Sequence, residues 1–121
     1  MLSTQLLSWY SENKRSLPWR LTKDPYKIWI SEIMLQQTQV ATVIPYYTKW
    51  MNSFPDIQTL AHADYDYILK HWEGLGYYSR CKNIHLTAKA LDKDFPDTFN
   101  ELIKLPGIGE YTAKTILAIA Y

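Results

Sequence analysis

The sequence predicts an all-α fold, because apolar residues recur at helical spacing in segment after segment while no segment alternates apolar and polar residues as a half-exposed strand does. Prolines and glycines separate these segments and indicate where one helix stops and the next begins. A length of 121 residues corresponds to about one domain, so we expect every helix to contribute to a single core.

The composition excludes several classes of protein. The sequence has no run of about eighteen apolar residues and no basic segment leading into an apolar one, so it predicts neither a membrane-spanning helix nor a secretory signal. We therefore expect a cytoplasmic protein that does not bind membranes. The net charge of +1 is too small to indicate a nucleic-acid partner by itself, so an argument for DNA binding depends on local motifs.

Cys81 is the one cysteine in the sequence. A single thiol forms no intramolecular disulfide and cannot supply a zinc or iron–sulfur site of the usual four-ligand type. We therefore expect Cys81 to be a small side chain packed in the core.

The first two helices are bounded by polar caps and proline. Residues 3–14 have apolar side chains at helical spacing, and the proline-containing segment 15–23 is predicted to be a loop. Asp24-Pro25 is a cap followed by proline at the first helical position, so a central helix begins there and runs to about Gln36 or Gln37.

The next helices are also bounded by cap residues and proline. Thr38 is the expected cap of a helix in which Pro45 predicts a kink or a late start, and Phe54-Pro55 ends that helix. Two shorter helices are predicted over residues 56–61 and 64–72, and glycines follow the second of them.

The second half of the chain continues the helical pattern. Residues 77–91 form a predicted helix with a basic exposed side, and Asp97 or Thr98 is the expected cap of a short helix that precedes a last helix starting near Glu110. The apolar positions of the helix over 77–91 are Cys81, Ile84, Leu86, Ala88 and Leu91.

The last predicted helix has no stop signal. It is still apolar at Ile119, Ala120 and Tyr121, and neither glycine, proline nor a polar run follows. We therefore expect the chain to be part of a longer protein, and the residues encoded after Tyr121 would test this.

The stretch from Ser31 to Val40 places one carboxylate in very apolar surroundings. Glu32 lies in a segment that is apolar nearly all round, and a helix of that kind is normally buried, so we expect a buried acid. The alternative, a solvated glutamate, is the ordinary state of a lone Glu. The next residues carry amide and hydroxyl side chains that we expect to contact the substrate, namely Gln36, Gln37, Thr38 and Gln39.

Residues 105–109, Leu-Pro-Gly-Ile-Gly, predict a tight turn between two short helices. Its glycines let main-chain amides approach a phosphate closely, and the start of the next helix favours an anion. Lys104 and Lys114 add positive charge at its rim. Carbonyl groups on the same turn are candidates to hold a monovalent cation shared with the phosphate, namely those of Ile103, Leu105 and Ile108. The alternative is an ordinary glycine turn between helices.

Four stretches of the chain resemble a known family. Residues 105–113 are similar to the helix-hairpin-helix of the base-excision DNA glycosylases, the endonuclease III-like superfamily. Three more stretches, 17–20 (Leu-Pro-Trp-Arg), 31–40 (Ser-Glu-Ile-Met-Leu-Gln-Gln-Thr-Gln-Val) and 74–80 (Gly-Leu-Gly-Tyr-Tyr-Ser-Arg), resemble the adenine DNA glycosylases, which remove adenine mispaired with 8-oxoguanine or guanine. The resemblance runs from about Leu6 to Tyr121.

The resemblance implies a single helical domain over residues 1–121, the N-terminal part of a helical-barrel catalytic domain with its helix-hairpin-helix at about 98–121. It implies that a catalytic aspartate, the four cysteines of a 4Fe-4S cluster and the domain that recognises 8-oxoguanine all lie beyond Tyr121. We therefore expect no cofactor in these residues, a cluster in the full-length protein, and no turnover by residues 1–121 alone. A monomer that binds double-stranded DNA containing the mispair is the expected state.

The resemblance also implies roles for individual residues. Glu32 matches the general acid that protonates the adenine ring, and desolvation, which raises the pKa of a carboxyl group, suits such an acid. Trp19, Arg20 and Leu35 match the adenine pocket, although Arg20 can equally be a surface ion-pair partner. Residues assigned to DNA contact are Gln36, Gln37, Thr38, Tyr77, Arg80, Gly107, Gly109 and Lys114, with Gln37, Thr38 and Tyr77 as the side chains inserted into the base stack.

Tyr111 distinguishes two activities within the superfamily. In relatives with lyase activity, a lysine at this position forms a Schiff base with the sugar. Tyrosine therefore predicts a monofunctional glycosylase that hydrolyses the N-glycosidic bond. Two alternatives stay open, an endonuclease III-like glycosylase/lyase for damaged pyrimidines and a non-catalytic helix-hairpin-helix DNA-binding module.

Overall fold

The structure is a computed structural model that describes residues 22–36, 38–91 and 94–121. These residues contain seven α-helices and no strand. The prediction of an all-α fold is confirmed. The helix predicted over 3–14 and most of the loop predicted over 15–23 lie outside the described residues. The helices are α1 (Pro25–Leu35), α2 (Val40–Ser53), α3 (Ile57–His62), α4 (Tyr65–Trp72), α5 (Tyr78–Leu91), α6 (Phe99–Leu102) and α7 (Glu110–Ala120).

Helix α1 is the central element of the core. The Asp24 side chain accepts a hydrogen bond from the Tyr26 amide at 3.0 Å and Pro25 occupies the first turn, as predicted. Seven of its eleven residues are buried, in agreement with the prediction made from its apolar sequence. The buried residues are Tyr26, Ile28, Trp29, Ile30, Ser31, Ile33 and Met34.

Helices α1 and α7 pack against each other in opposite directions. At one end of the pair, Gln36 follows α1 and hydrogen-bonds Thr112 at the start of α7. At the other end, Tyr121 follows α7 and lines a cavity together with Asp24 and Pro25 at the start of α1. The start of the last helix therefore lies beside the end of the helix that carries Glu32. Helix α2 packs against α1 as well, and α5 packs against α3 and α4.

Helix α2 begins later than the sequence suggested. The predicted cap, Thr38, is wrong, because Gln39 is the residue before the first turn and no side chain caps the helix. The helix runs through Pro45 without ending. Proline removes one backbone donor, and the Ala41 carbonyl that loses this partner lies on an exposed residue where water is available.

Buried aromatic side chains join α1 to the end of α2. The Trp50 indole donates to the Tyr26 hydroxyl at 3.1 Å, and that hydroxyl donates to the Phe54 carbonyl at 2.8 Å. Burial raises the pKa of the Tyr26 phenol, so it stays protonated and remains a donor. The Trp50 ring also packs edge-on against Trp72 of α4 with centroids 5.9 Å apart. These contacts fix α1 within the core.

Helix α5 buries the face that carries most of its apolar residues, but Leu86 lies outside that face. Cys81, Ile84 and Ala88 are buried as expected, whereas Leu86 is 44% exposed. The buried positions 81, 84, 85, 87 and 88 follow the spacing of a single helical face, which Leu86 does not share. The burial of Cys81 confirms its assignment to the core.

None of the helices in the described ranges combines the length and the apolar character needed to cross a membrane.

Thr98, rather than Asp97, caps α6. The Thr98 hydroxyl oxygen accepts from the Glu101 amide at 3.4 Å and donates to the Glu101 carboxylate at 2.8 Å. Thr98→Ala is therefore expected to lower the free energy of unfolding by about 1 kcal/mol, because an N-cap is lost. A urea titration measures this, with Asp97→Ala as the matched control. An equal loss in both variants would contradict the assignment.

Candidate active site

Glu32 lies in the third turn of α1 and is partly buried. The expectation of a fully buried acid is therefore wrong in degree, because the side chains on either side of it, Ser31 and Ile33, face the core and leave Glu32 at the edge of the buried surface. The Ser31 hydroxyl donates to the Ile28 carbonyl at 2.8 Å, so it is used within the helix. A carboxyl group in this position has apolar neighbours and is still accessible, which a proton donor to a bound base requires.

The end of α1 is tied to two other helices through Gln36. Its backbone carbonyl accepts from Nη1 of Arg80, on α5, at 2.7 Å. Its side-chain amide donates to the hydroxyl of Thr112, on α7, at 3.4 Å. The structure thus brings the Glu32 helix, the Gly74–Arg80 stretch and the hairpin together at one point. Thr38 and Leu35, both partly buried, lie beside it.

Three of the predicted site residues, Trp19, Arg20 and Gln37, lie outside the described residues.

The loop between α4 and α5 presents an aromatic side chain to solvent. Tyr77 is 53% exposed, so its ring is not part of the core. Its backbone is left-handed, with φ of 50°, and Gly76 before it has φ of 75°. The buried Trp72 indole donates to the Gly76 carbonyl at 2.8 Å and ties the loop to the core. A strained conformation of this kind persists only when its surroundings impose it.

Gly74, in the same loop, has no room for a side chain. Its φ is 98°, and a Cβ built on it would collide with the Tyr46 hydroxyl. That hydroxyl donates to the neighbouring Glu73 carbonyl at 2.6 Å. The glycine therefore lets α2 anchor the loop directly.

The turn between α6 and α7 is held against α5. The Thr87 hydroxyl donates to the Pro106 carbonyl at 2.8 Å, and Ile108 is buried. Gly107 has φ of 78°, and a Cβ on it would lie 3.0 Å from the Asn83 Cβ. Gly109 has φ of −89° and a Cβ there would meet nothing within 4 Å. The fold therefore demands the first glycine, whereas the second leaves the start of α7 open to an approaching ligand.

The carbonyl cluster predicted to hold a cation stays a prediction. Leu105 accepts from the Ile108 amide at 3.1 Å, which closes the turn, and a carbonyl oxygen has a second lone pair for another partner. Ile103 is 41% exposed beside it. In the part of the chain that the structure describes, no three His, Cys, Asp or Glu side chains are grouped to hold a metal ion.

Tyr111 and Lys114 lie on the outer face of α7. Tyr111 is 61% exposed. The Lys114 ammonium lies 3.9 Å from the Glu110 carboxylate, and both side chains are largely in water, so this pair contributes little to stability. Lys114 therefore remains available as a cation next to the hairpin.

The residues present do not fit an iron–sulfur cluster. Such a cluster requires several thiolate ligands, and this chain has one cysteine. Burial raises the pKa of the Cys81 thiol to about 12, so it is protonated and inert at neutral pH. The cluster expected for the full-length protein would need cysteines other than Cys81.

A cavity of about 290 Å³ that the sequence did not suggest lies at the start of α1. Three aspartates line it, namely Asp24, Asp56 and Asp94. Their negative charge would repel a phosphate, so we do not count this cavity as part of the candidate site at Gln36.

Comparisons with known proteins agree with this arrangement. A family model, described as HhH-GPD superfamily base excision DNA repair protein, matches residues 30–120. The adenine DNA glycosylase of Buchnera aphidicola subsp. Baizongia pistaciae is 53% identical over 121 residues, 96% of this chain and 34% of that protein. The adenine DNA glycosylase of Rattus norvegicus is 46% identical over 129 residues, 96% of this chain and 25% of that protein.

The solved structure of a thermostable thymine-DNA glycosylase is also similar, with a TM-score of 0.81 and 26% identity. The match covers 94% of this chain and 55% of that one. The chain spans about a third of the length of the Buchnera relative. Since the family model covers most of the sequence and the fold agrees, the chain belongs to the HhH-GPD superfamily of base excision DNA repair proteins.

Proposed function

We propose that the chain is the part of a DNA glycosylase that carries the general acid, and that the full-length protein releases adenine mispaired with 8-oxoguanine or guanine. One observation supports this most directly. Directly after the helix that carries Glu32, Gln36 contacts Arg80, which lies over the exposed Tyr77 ring, and Thr112, which follows the glycine turn. The identity of 53% to an adenine DNA glycosylase supports the same choice of base.

The proposed reaction begins with extrusion of the adenine from the duplex, which costs a few kcal/mol. Gln37, Thr38 and Tyr77 enter the stack and hold the kinked duplex open. The carboxyl group of Glu32 then donates its proton to a ring nitrogen of adenine. The N-glycosidic bond breaks, and its electron pair leaves with the protonated base. Water then adds to the sugar cation and gives its surplus proton to the Glu32 carboxylate, which restores the acid. General acid catalysis of this kind contributes about 10²–10⁴ in rate.

The hairpin binds the DNA backbone in this proposal. Amides at the start of α7 face a phosphate because Gly109 leaves the approach open. The carbonyls of Ile103, Leu105 and Ile108 would hold a monovalent cation, which would supply positive charge for that phosphate. Lys104 and Lys114 are exposed and add attraction that weakens as salt rises.

The proposed partner is double-stranded DNA, bound by a monomer, and the proposed location is the cytoplasm. The catalytic aspartate and the cysteines of a 4Fe-4S cluster belong, in this proposal, to residues after Tyr121.

The full-length protein tests the activity. Incubated with an adenine:8-oxoguanine duplex, it is expected to release free adenine, and parallel incubations with adenine:guanine, thymine:guanine and adenine:thymine duplexes define its mispair preference. Binding without release of any base would favour a non-catalytic DNA-binding module. Release from a damaged-pyrimidine duplex instead would favour an endonuclease III-like enzyme.

The full-length protein is expected to lack lyase activity, because Tyr111 replaces the lysine that forms a Schiff base. Borohydride reduction during turnover, followed by denaturing electrophoresis, measures covalent trapping. The expected yield is a small fraction of that from a true glycosylase/lyase run alongside. Trapping at a comparable yield would overturn the monofunctional assignment.

A further inference from the structure

We infer that Arg80 is a positioning residue that joins the ring of Tyr77 to the end of α1 and fixes the distance between them, and that it is not a ligand for a DNA phosphate. The inference rests on the proposed function, since it concerns how the two inserted elements are held.

The guanidinium of Arg80 makes two contacts within the protein. Its Nη1 donates to the Gln36 carbonyl at 2.7 Å, where the negative end of the α1 dipole strengthens the bond. Its Cζ lies 4.4 Å from the centroid of the Tyr77 ring, a cation–π distance. A planar guanidinium can make both contacts at once, whereas an ammonium cannot stack.

Tyr77 needs such support. It is half exposed and has a left-handed backbone, which is unfavourable for a residue with a Cβ. The Arg80 amide donates to the Tyr77 carbonyl at 2.9 Å, so Arg80 holds both the backbone and the ring of the same residue. Without the guanidinium the ring has free rotamers and pays an ordering cost when it enters a duplex.

The link continues to the hairpin. The side-chain amide of Gln36 donates to the Thr112 hydroxyl at 3.4 Å, and Thr112 is buried in the first turn of α7. Tyr77, Arg80, Gln36 and Thr112 therefore form a chain of contacts from the loop, through α5 and α1, to the helix after the hairpin.

A phosphate ligand would look different. It would direct its charge into solvent, as Lys82 does on the same helix, where the side chain is exposed. Arg80 is only partly exposed, and the Gln36 carbonyl and the Tyr77 ring already engage its charged group.

The test uses the full-length protein with Arg80→Lys, Arg80→Gln, Tyr77→Ala and the Arg80→Gln/Tyr77→Ala double variant. Lys82→Gln is the matched control, because it removes an exposed charge from the same helix. Dissociation constants for an adenine:8-oxoguanine duplex are measured from low to moderate salt, together with single-turnover rates and melting temperatures. The unchanged protein must release adenine, and its failure would refute the proposed function rather than this inference.

Arg80→Lys and Arg80→Gln are both expected to weaken binding roughly tenfold, without changing the slope of log Kd against log salt. The double variant is expected to bind no more than about twofold worse than Tyr77→Ala, because both changes break one link. A slope reduced by about one, retention of affinity by Arg80→Lys, or effects that multiply in the double variant would overturn the inference. If Arg80→Gln does not fold, Arg80→Lys alone decides between the two outcomes.

Discussion

Replacing Glu32 by glutamine is expected to abolish adenine release while leaving DNA binding largely in place. Glutamine has nearly the shape of glutamate but carries no ionisable proton to donate to the adenine ring. General acid catalysis of this kind is worth about 10²–10⁴ in rate, so the single-turnover rate on an adenine:8-oxoguanine duplex should fall by at least that factor. Because the two side chains have nearly the same volume, the exchange creates no cavity at this partly buried position.

Glu73→Gln is the matched control for this experiment. Glu73 is exposed and its backbone carbonyl, not its carboxylate, is the group that Tyr46 contacts. The control should retain both binding and rate. A near-normal rate in Glu32→Gln would remove Glu32 from the mechanism, whereas equal losses of rate in both variants would indicate an effect of charge alone.

Gly107→Ala is expected to lower both the melting temperature and the affinity for DNA. A residue with a Cβ at φ of 78° costs roughly 1–2 kcal/mol, and the new Cβ would lie 3.0 Å from the Asn83 Cβ, so the turn or α5 must also give by a few tenths of an ångström. The hairpin is attached to that helix by Thr87, and the shift therefore reaches the turn itself.

Gly109→Ala separates folding from binding at the same turn. The backbone at Gly109 suits any residue and its surroundings are open, so the loss of stability should stay below about 1 kcal/mol. If amides at the start of α7 approach a phosphate, the added methyl group lowers DNA affinity with a smaller loss of melting temperature than Gly107→Ala causes. Equal losses of melting temperature in the two variants would contradict the distinction between these glycines.

Local chemistry made parts of the fold predictable. Asp24-Pro25 marks the start of α1, and the glycines after α4 mark its end, because caps and left-handed turns depend on neighbouring residues. Thr38 failed as a cap because Gln39 is the residue that adopts the extended cap conformation. Leu86 failed as a core residue because the helical face that packs is chosen by the helices around it.

The candidate site was predictable as a set of residues but not as an arrangement. Gln36 and Arg80 are 44 positions apart, and the atom that Arg80 contacts is a backbone carbonyl, which every residue has. No sequence pattern reports such a bond. The difference between Gly107 and Gly109 is equally hidden, since it depends on the position of Asn83 on another helix.

Three carboxylates give the start of α1 a local concentration of negative charge despite the small net charge of the chain. Asp24, Asp56 and Asp94 surround the start of α1, while the end of α1, about 16 Å away at 1.5 Å per residue, lies beside the start of α7. In the proposed function, a duplex that approached the acidic end would meet like charge, so encounters at the end that carries Gln36 and the hairpin are favoured.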